Sequence, residues 1–124
     1  MDFTQKLKFS KDHEWLSATT GTVSVGVSAY AVDQLGDIVH IDLPKVGDTF
    51  GAGDSFGTIE STKTVSDLYM PVEGKVVEVN TAILNSPEAL QEDCYKDGWL
   101  LRVEITGPTV ELLSSAEYEA FIKE

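Results

Sequence analysis

Residues 56–80 read FGTIESTKTVSDLYMPVEGKVVEVN. Apolar, β-prone residues flank a short polar tip: Ile59 precedes it, and Val65, Leu68 and Tyr69 follow. At the tip, Lys63 stands among Ser61, Thr62 and Thr64. Small hydroxylated residues between two such runs predict a turn joining two strands. Pro71-Val72-Glu73-Gly74 predicts a second turn, and residues 75–79 alternate as a half-buried strand does. A lysine at the tip between matched strands is held out into solvent on a rigid base. That placement suits a side chain that is to carry a group.

The flanking sequence repeats this short-strand character. TVSVGV at Thr22–Val27 places Val23, Val25 and Val27 on one face. Ser28 then caps a short helix, SAYAVDQL, which Gly36 ends. Residues 37–43, DIVHIDL, alternate with Ile38, His40 and Asp42 on one face and Val39, Ile41 and Leu43 on the other. Pro44 stops that strand, Val46-Gly47-Asp48 turns the chain, and residues 55–60 lead up to Lys63. Ser86-Pro87-Glu88 predicts a helix start, with ALQEDCY continuing it to Lys96-Asp97-Gly98. Residues 99–105, WLLRVEI, read as a strand. Ser114-Ser115-Ala116-Glu117 is a capping box for a last helix, whose Tyr118, Phe121 and Ile122 are expected to pack across the sheet. IVHIDLPKVGDTF and SDLYMPVEGKVVEVN resemble each other loosely, each with a strand, a proline and a glycine, which suggests two related halves.

Composition narrows the function. At 124 residues the chain reads as one domain, residues 1–124, with enough length for a core. The net charge of −12 would be repelled by phosphate backbones and anionic membranes, so neither nucleic acid nor membrane is expected as a partner. The acidity fits a solvated surface or docking on basic patches of larger proteins. The single cysteine, Cys94, allows no internal disulfide and reads as buried packing. His13 and His40 have no metal-ligand spacing and read as ordinary surface or packing residues, so no metal is expected. Gly51-Ala52-Gly53 runs into a strand and reads as a turn, not a phosphate loop. The first residues, MDFTQKLKFSKDHEW, hold no apolar signal-peptide core, and a chain starting at Met1 is expected in a bacterial cytoplasm, or in the mitochondrial matrix if it is a processed eukaryotic chain.

On position alone, Lys63 is also a plain solvated charge or an edge-strand gatekeeper. A Schiff-base lysine needs a desolvated or cation-flanked amine, and this segment offers hydroxyls with Glu60 and Asp67. Catalysis by the amine is therefore disfavoured, whereas its covalent modification by another enzyme stays open.

Ordered blocks along the chain decide between these readings. They are Lys11-Asp12-His13-Glu14-Trp15, Val25-Gly26-Val27 running into AVDQLGDIVHIDL, and Pro44-Lys45-Val46-Gly47. Glu60-Ser61-Thr62-Lys63, Val65-Ser66-Asp67-Leu68-Tyr69 and Pro71-Val72-Glu73-Gly74 follow, then Asn80, Asn85-Ser86-Pro87 and Gly98-Trp99-Leu100. Over nearly its whole length the chain resembles the glycine cleavage system H proteins. The resemblance implies a mainly β fold, a lipoyl-type barrel-sandwich hybrid of two antiparallel sheets with short helices and a C-terminal helix. It implies lipoic acid in amide linkage to Lys63, and a non-catalytic carrier that is expected to be a monomer. In this family a pyridoxal-phosphate glycine decarboxylase loads an aminomethyl group on the arm. A tetrahydrofolate-dependent aminomethyltransferase unloads it, and a flavin-dependent dihydrolipoamide dehydrogenase reoxidises the dithiol. A lipoylating enzyme installs the arm.

The resemblance also implies a cleft for the loaded arm, with Glu14 and Asp67 holding its cationic amine and Val27 and Leu35 on its floor. Replacing either acid is expected to leave thermal stability largely unchanged. Asp12 adds a charge where relatives often carry a small hydroxyl, Thr64 replaces a common alanine, and Cys94 replaces a common proline. The rival readings are a lipoyl domain of a 2-oxoacid dehydrogenase, a lipoate-relay protein, a biotin carrier and an unmodified β-sandwich interaction module. No long linker and no Met-Lys-Met setting favours the first or third.

Overall fold

The computed structural model describes residues 7–123. Among these residues the strands form two sheets, in which every paired strand is antiparallel. β1 (Lys8–Ser10), β2 (Glu14–Leu16) and β3 (Thr22–Val27) lead into α1 (Ala29–Leu35). Then come β4 (Ile38–Asp42), β5 (Thr49–Phe50), β6 (Ser55–Ser61), β7 (Val65–Tyr69) and β8 (Val72–Val79). After α2 (Thr81–Asn85) and α3 (Ala89–Glu92), β9 (Leu101–Thr109), β10 (Leu112–Ser114) and α4 (Ser115–Ile122) complete the chain. The large sheet runs β10-β1-β2-β3-β9-β8-β5 and the small one β4-β6-β7. This is the two-sheet, mainly β architecture that the sequence predicts.

Each sheet presents its apolar face to the other. Val23, Val25 and Val27 of β3 are all buried, as are Ile41 of β4, Ile59 of β6 and Leu68 of β7, and all join one hydrophobic cluster. The two similar sequence pieces take corresponding places. The strands β4 and β7 flank β6 in the small sheet, and each continues into a strand of the large sheet, β5 and β8, which pair with each other.

Several local expectations are corrected. Residues 71–74 do not form a turn: Val72 is fully buried and pairs with Thr109, and Gly74 pairs with both Phe50 and Ile105. Cross-strand pairing on both sides overrides the local turn propensity of proline and glycine. In β4 the register shifts between Ile38 and His40, so strict alternation fails. Ile38 is buried whereas Val39 stands 50% exposed. Ser86 does not cap the following helix with its side chain; a short helix that the sequence does not predict, Thr81–Asn85, precedes Ser86, and the helix expected after it spans only Ala89–Glu92. The second stops at Glu92 because the Asp93 carboxylate accepts hydrogen bonds from the amides of Tyr95, Lys96 and Asp97. The strand expected at 99–105 begins at Leu101 and runs on to Thr109.

Ser28 caps α1 through its side chain, and Gly36 ends the helix at φ 83°. The Ser114–Glu117 capping box is fully formed. The helix it starts, α4, packs on the sheet against β1 and β10, with Phe121 and Ile122 on the side that meets it. There Phe9 and Tyr118 stack with ring centroids 4.4 Å apart, and Leu7 and Trp15 complete a second hydrophobic cluster. Trp15 lies over Gly26, where a Cβ would come within 2.5 Å of the indole, and its Nε1 donates to the Cys94 carbonyl. Among the described residues no helix is long and apolar enough to cross a membrane.

Candidate functional site

Lys63 is exposed at the tip of the hairpin between β6 and β7. The turn is held by Ser61. Its backbone N–H donates to the Thr64 carbonyl at 2.8 Å, and its hydroxyl oxygen accepts from the amides of Lys63 and Thr64, both at 3.2 Å. The Thr62 amide donates to the Asp37 carbonyl at 3.0 Å, tying the tip to the end of α1. His13 is the one non-glycine residue with positive φ among those described, so Thr62 and Lys63 stay out of the left-handed region. A buried serine side chain takes the place of the Asn-Gly chemistry common in two-residue hairpins. The Lys63 stem crosses Gly36, where a Cβ would stand 3.2 Å from Cε.

Beside the tip lies a cleft of about 410 Å³. Glu14 enters from β2, Val27 from β3, Leu35 from α1 and Asp67 from β7. The structure therefore brings Glu14 and Asp67 into one concavity and puts both apolar residues on its wall. Val27 and Leu35 are also part of the core, at 2% and 8% exposure.

The two acids differ in setting. Asp67 is exposed. Glu14 is only 2% exposed. Its carboxylate oxygens accept from Ser10 Oγ at 2.9 Å and from the Tyr69 amide at 3.3 Å. Burial pushes the Glu14 carboxyl up to about 8; the Ser10 and Tyr69 hydrogen bonds oppose the rise, and the negative charge of Asp12 adds to it. Burial thus favours the neutral acid at pH 7, and removal of the side chain would leave the Ser10 hydroxyl proton and the Tyr69 amide without their acceptor, although Ser10 Oγ would still accept from the residue-14 amide. The expectation that its replacement leaves stability unchanged does not fit this environment.

The cleft contains residues that the sequence reading did not assign to it: His13, Tyr30, Ala31, Gln34, Thr64, Val65 and Ser66. Asp12 also lines it. Tyr30, Ala31, Gln34 and Leu35 follow helical spacing, so one face of α1 forms a wall once α1 is placed beside the hairpin. His13 left no comparable signal, because its position depends on the left-handed backbone at φ 74°. Cys94 is buried, with its thiol pushed up to about 12 by burial, as fits a packing role. His40 lies outside the cleft and contacts Asp42 at 3.1 Å on the surface.

Residues 7–124 match the family model described as glycine cleavage H-protein. The chain belongs to the glycine cleavage H-protein family. A glycine cleavage system H protein of Symbiobacterium thermophilum is 48% identical over 120 residues, covering 95% of this chain and 94% of that protein. One from Streptomyces coelicolor is 47% identical over 122 residues, covering 98% of each. The crystal structure of a glycine cleavage system H protein from Mycobacterium marinum superposes with a TM-score of 0.92 at 44% identity, covering 97% of this chain and 98% of that one. The fold is therefore that of the H proteins, a family of lipoyl-bearing carriers.

Proposed function

We propose that Lys63 carries lipoate in amide linkage and that the Glu14–Asp67 cleft shelters the loaded arm between visits to partner enzymes. The observation that carries this reading is an exposed lysine on a clamped turn, directly beside a cleft with an apolar wall and two carboxyl groups. These residues fit the group. The Lys63 amine is accessible, and a cleft of about 410 Å³ falls within the size range of small-molecule sites.

When attached, lipoate supplies a dithiolane that takes up electrons by disulfide exchange and offers a sulfur to the aminomethyl cargo. The protein's own residues do the remaining work. Ser61 fixes the origin of the swing, and tethering raises the local concentration of the arm at each partner. Val27 and Leu35 offer apolar contact. Asp67 accepts a charge-assisted hydrogen bond from a cationic amine. Glu14 waits as a neutral acid; a cation beside it favours the carboxylate, so docking of the amine displaces a proton into solvent.

The proposed partners are a pyridoxal-phosphate glycine decarboxylase, a tetrahydrofolate-dependent aminomethyltransferase, a flavin-dependent dihydrolipoamide dehydrogenase and a lipoylating enzyme, met in the bacterial cytoplasm. The net charge of −12 directs docking towards their basic patches. The chain acts as a carrier and catalyses none of these steps. Reconstitution tests the reading. With the partner enzymes, lipoylated protein should support glycine-dependent one-carbon transfer to tetrahydrofolate. Lys63→Arg should fold normally and support none, and transfer by that variant would sink the proposal.

A further inference from the structure

The cleft has a neighbour. A second cavity of about 250 Å³ lies between β1, α1 and α4, with Phe9, Tyr30, Tyr95 and Tyr118 in its lining. Tyr30 lines both cavities. His13 lines the first and Tyr118 the second, and His13 Nδ1 and the Tyr118 hydroxyl share a hydrogen bond of 2.7 Å. The same hydroxyl lies 2.7 Å from Ser28 Oγ, the side chain that caps α1. The Ser28 amide in turn donates to the His13 carbonyl at 2.9 Å. One hydroxyl on α4 thus joins the segment that leads into Glu14 to the start of the helix that walls the cleft.

The backbone shows that this junction is a constraint. His13 holds φ 74°, a conformation that costs a non-glycine residue free energy and persists only where its surroundings impose it. Its ring also packs on Tyr30 with centroids 5.0 Å apart. Burial lowers the pKa of the imidazole, against the charge of Asp12, which favours its neutral form. The Tyr118 ring is held independently of its hydroxyl by stacking on Phe9.

We infer that Tyr118 is a positioning residue for the arm cleft: its hydroxyl fixes His13 and the capped end of α1 as the wall that separates the cleft from the second cavity. The inference rests on the reading that this cleft shelters the lipoyl arm. Without the hydroxyl, His13 and Ser28 lose their common partner, the left-handed segment relaxes, and the wall between the cavities opens. The Lys63 turn, held by Ser61, is unaffected.

Tyr118→Phe removes the hydroxyl and keeps the stacked ring. In the unlipoylated protein, NMR should show shifted His13 ring nitrogens and several-fold faster exchange of the Ser28 amide. In the lipoylated, loaded protein, spontaneous loss of the aminomethyl group should be several-fold faster than in wild type, with an unchanged rate of lipoylation. His13→Asn, which tolerates the left-handed backbone and lacks the ring, should act in the same direction if Tyr118→Phe folds poorly. Ile83→Val, in α2 and outside the lining of both cavities, controls for lost stability and should release at the wild-type rate. The inference is overturned if Tyr118→Phe leaves the Ser28 amide and the release rate unchanged, or if Ile83→Val releases as fast as Tyr118→Phe. Should wild type lose the group no more slowly than free aminomethylated lipoamide, the cleft reading fails and takes this inference with it. Protection in wild type that Tyr118→Phe retains sinks the inference alone.

Discussion

Glu14→Gln should abolish a pH dependence of folding that this one carboxyl creates. Glu14 is 2% exposed, and burial lifts it from 4.5 to about 8. The hydrogen bonds from Ser10 and Tyr69 favour the charged form, yet neither donor is a cation that could offset the lost hydration. Between pH 4.5 and about 8 the folded state keeps this proton while the unfolded chain releases it. Stability therefore falls as the pH rises: the contribution is fully present below 4.5 and lost as the pH passes through about 8. At about 1.4 kcal/mol per unit, with relaxation and water entry around the carboxylate allowed for, the loss is on the order of 3–5 kcal/mol. Glutamine keeps the shape and one acceptor, cannot ionise, and adds a pH-independent cost of about 1–3 kcal/mol for its imperfect hydrogen bonds. Urea unfolding of both proteins between pH 4.5 and 9 measures the difference in stability. Wild type should lose on the order of 3–5 kcal/mol relative to Glu14→Gln across that range. A difference that stays flat refutes the claim that burial dominates this carboxyl.

Other outcomes follow from the same geometry. Ser61→Ala leaves the amides of Lys63 and Thr64 without their shared acceptor, at about 0.5–1.5 kcal/mol per hydrogen bond; lipoylation of Lys63 should slow several-fold in a folded protein, and an unchanged rate would show that turn rigidity does not matter to the modifying enzyme. Asp67→Ala should speed loss of the aminomethyl group, read as formaldehyde and ammonia released without the aminomethyltransferase, with little change in thermal stability because Asp67 is exposed. A charge-assisted hydrogen bond of about 1.5–3 kcal/mol, weakened by water, sets a several-fold scale, and a wild-type release rate would reduce Asp67 to a solvated charge. Cys94, buried with its thiol pushed up to about 12, should resist thiol reagents at pH 8 in the native protein and react once unfolded; rapid native labelling would contradict the burial.

The parts of this fold that are legible in the sequence are those set by local chemistry. Ser28 and Gly36 bound α1, Ser114 and Glu117 make their capping box, and the valines of β3 share a face. Residues whose state depends on distant partners are not legible. Val72 and Gly74 look like turn residues until β5 and β9 pair beside them. The bulge after Ile38 cannot be read from alternation alone. In the site, the family motif points to Lys63, Glu14 and Asp67, and the structure gathers the two acids beside the lysine turn. The motif does not reveal the burial of Glu14, which arises from tertiary packing, nor the place of His13, which needs Tyr118 from more than a hundred residues away.

A peptide map by mass spectrometry after co-expression with lipoylating enzymes decides whether Lys63 is the site of lipoylation. One lipoyl group is expected, on the peptide containing Lys63, with the formal charge moving from −12 to −13 as one of the 9 cations is neutralised. The Lys63→Arg protein should carry none. Lipoate on Lys75 or another lysine, or an unmodified Lys63 beside active lipoylating enzymes, would contradict it.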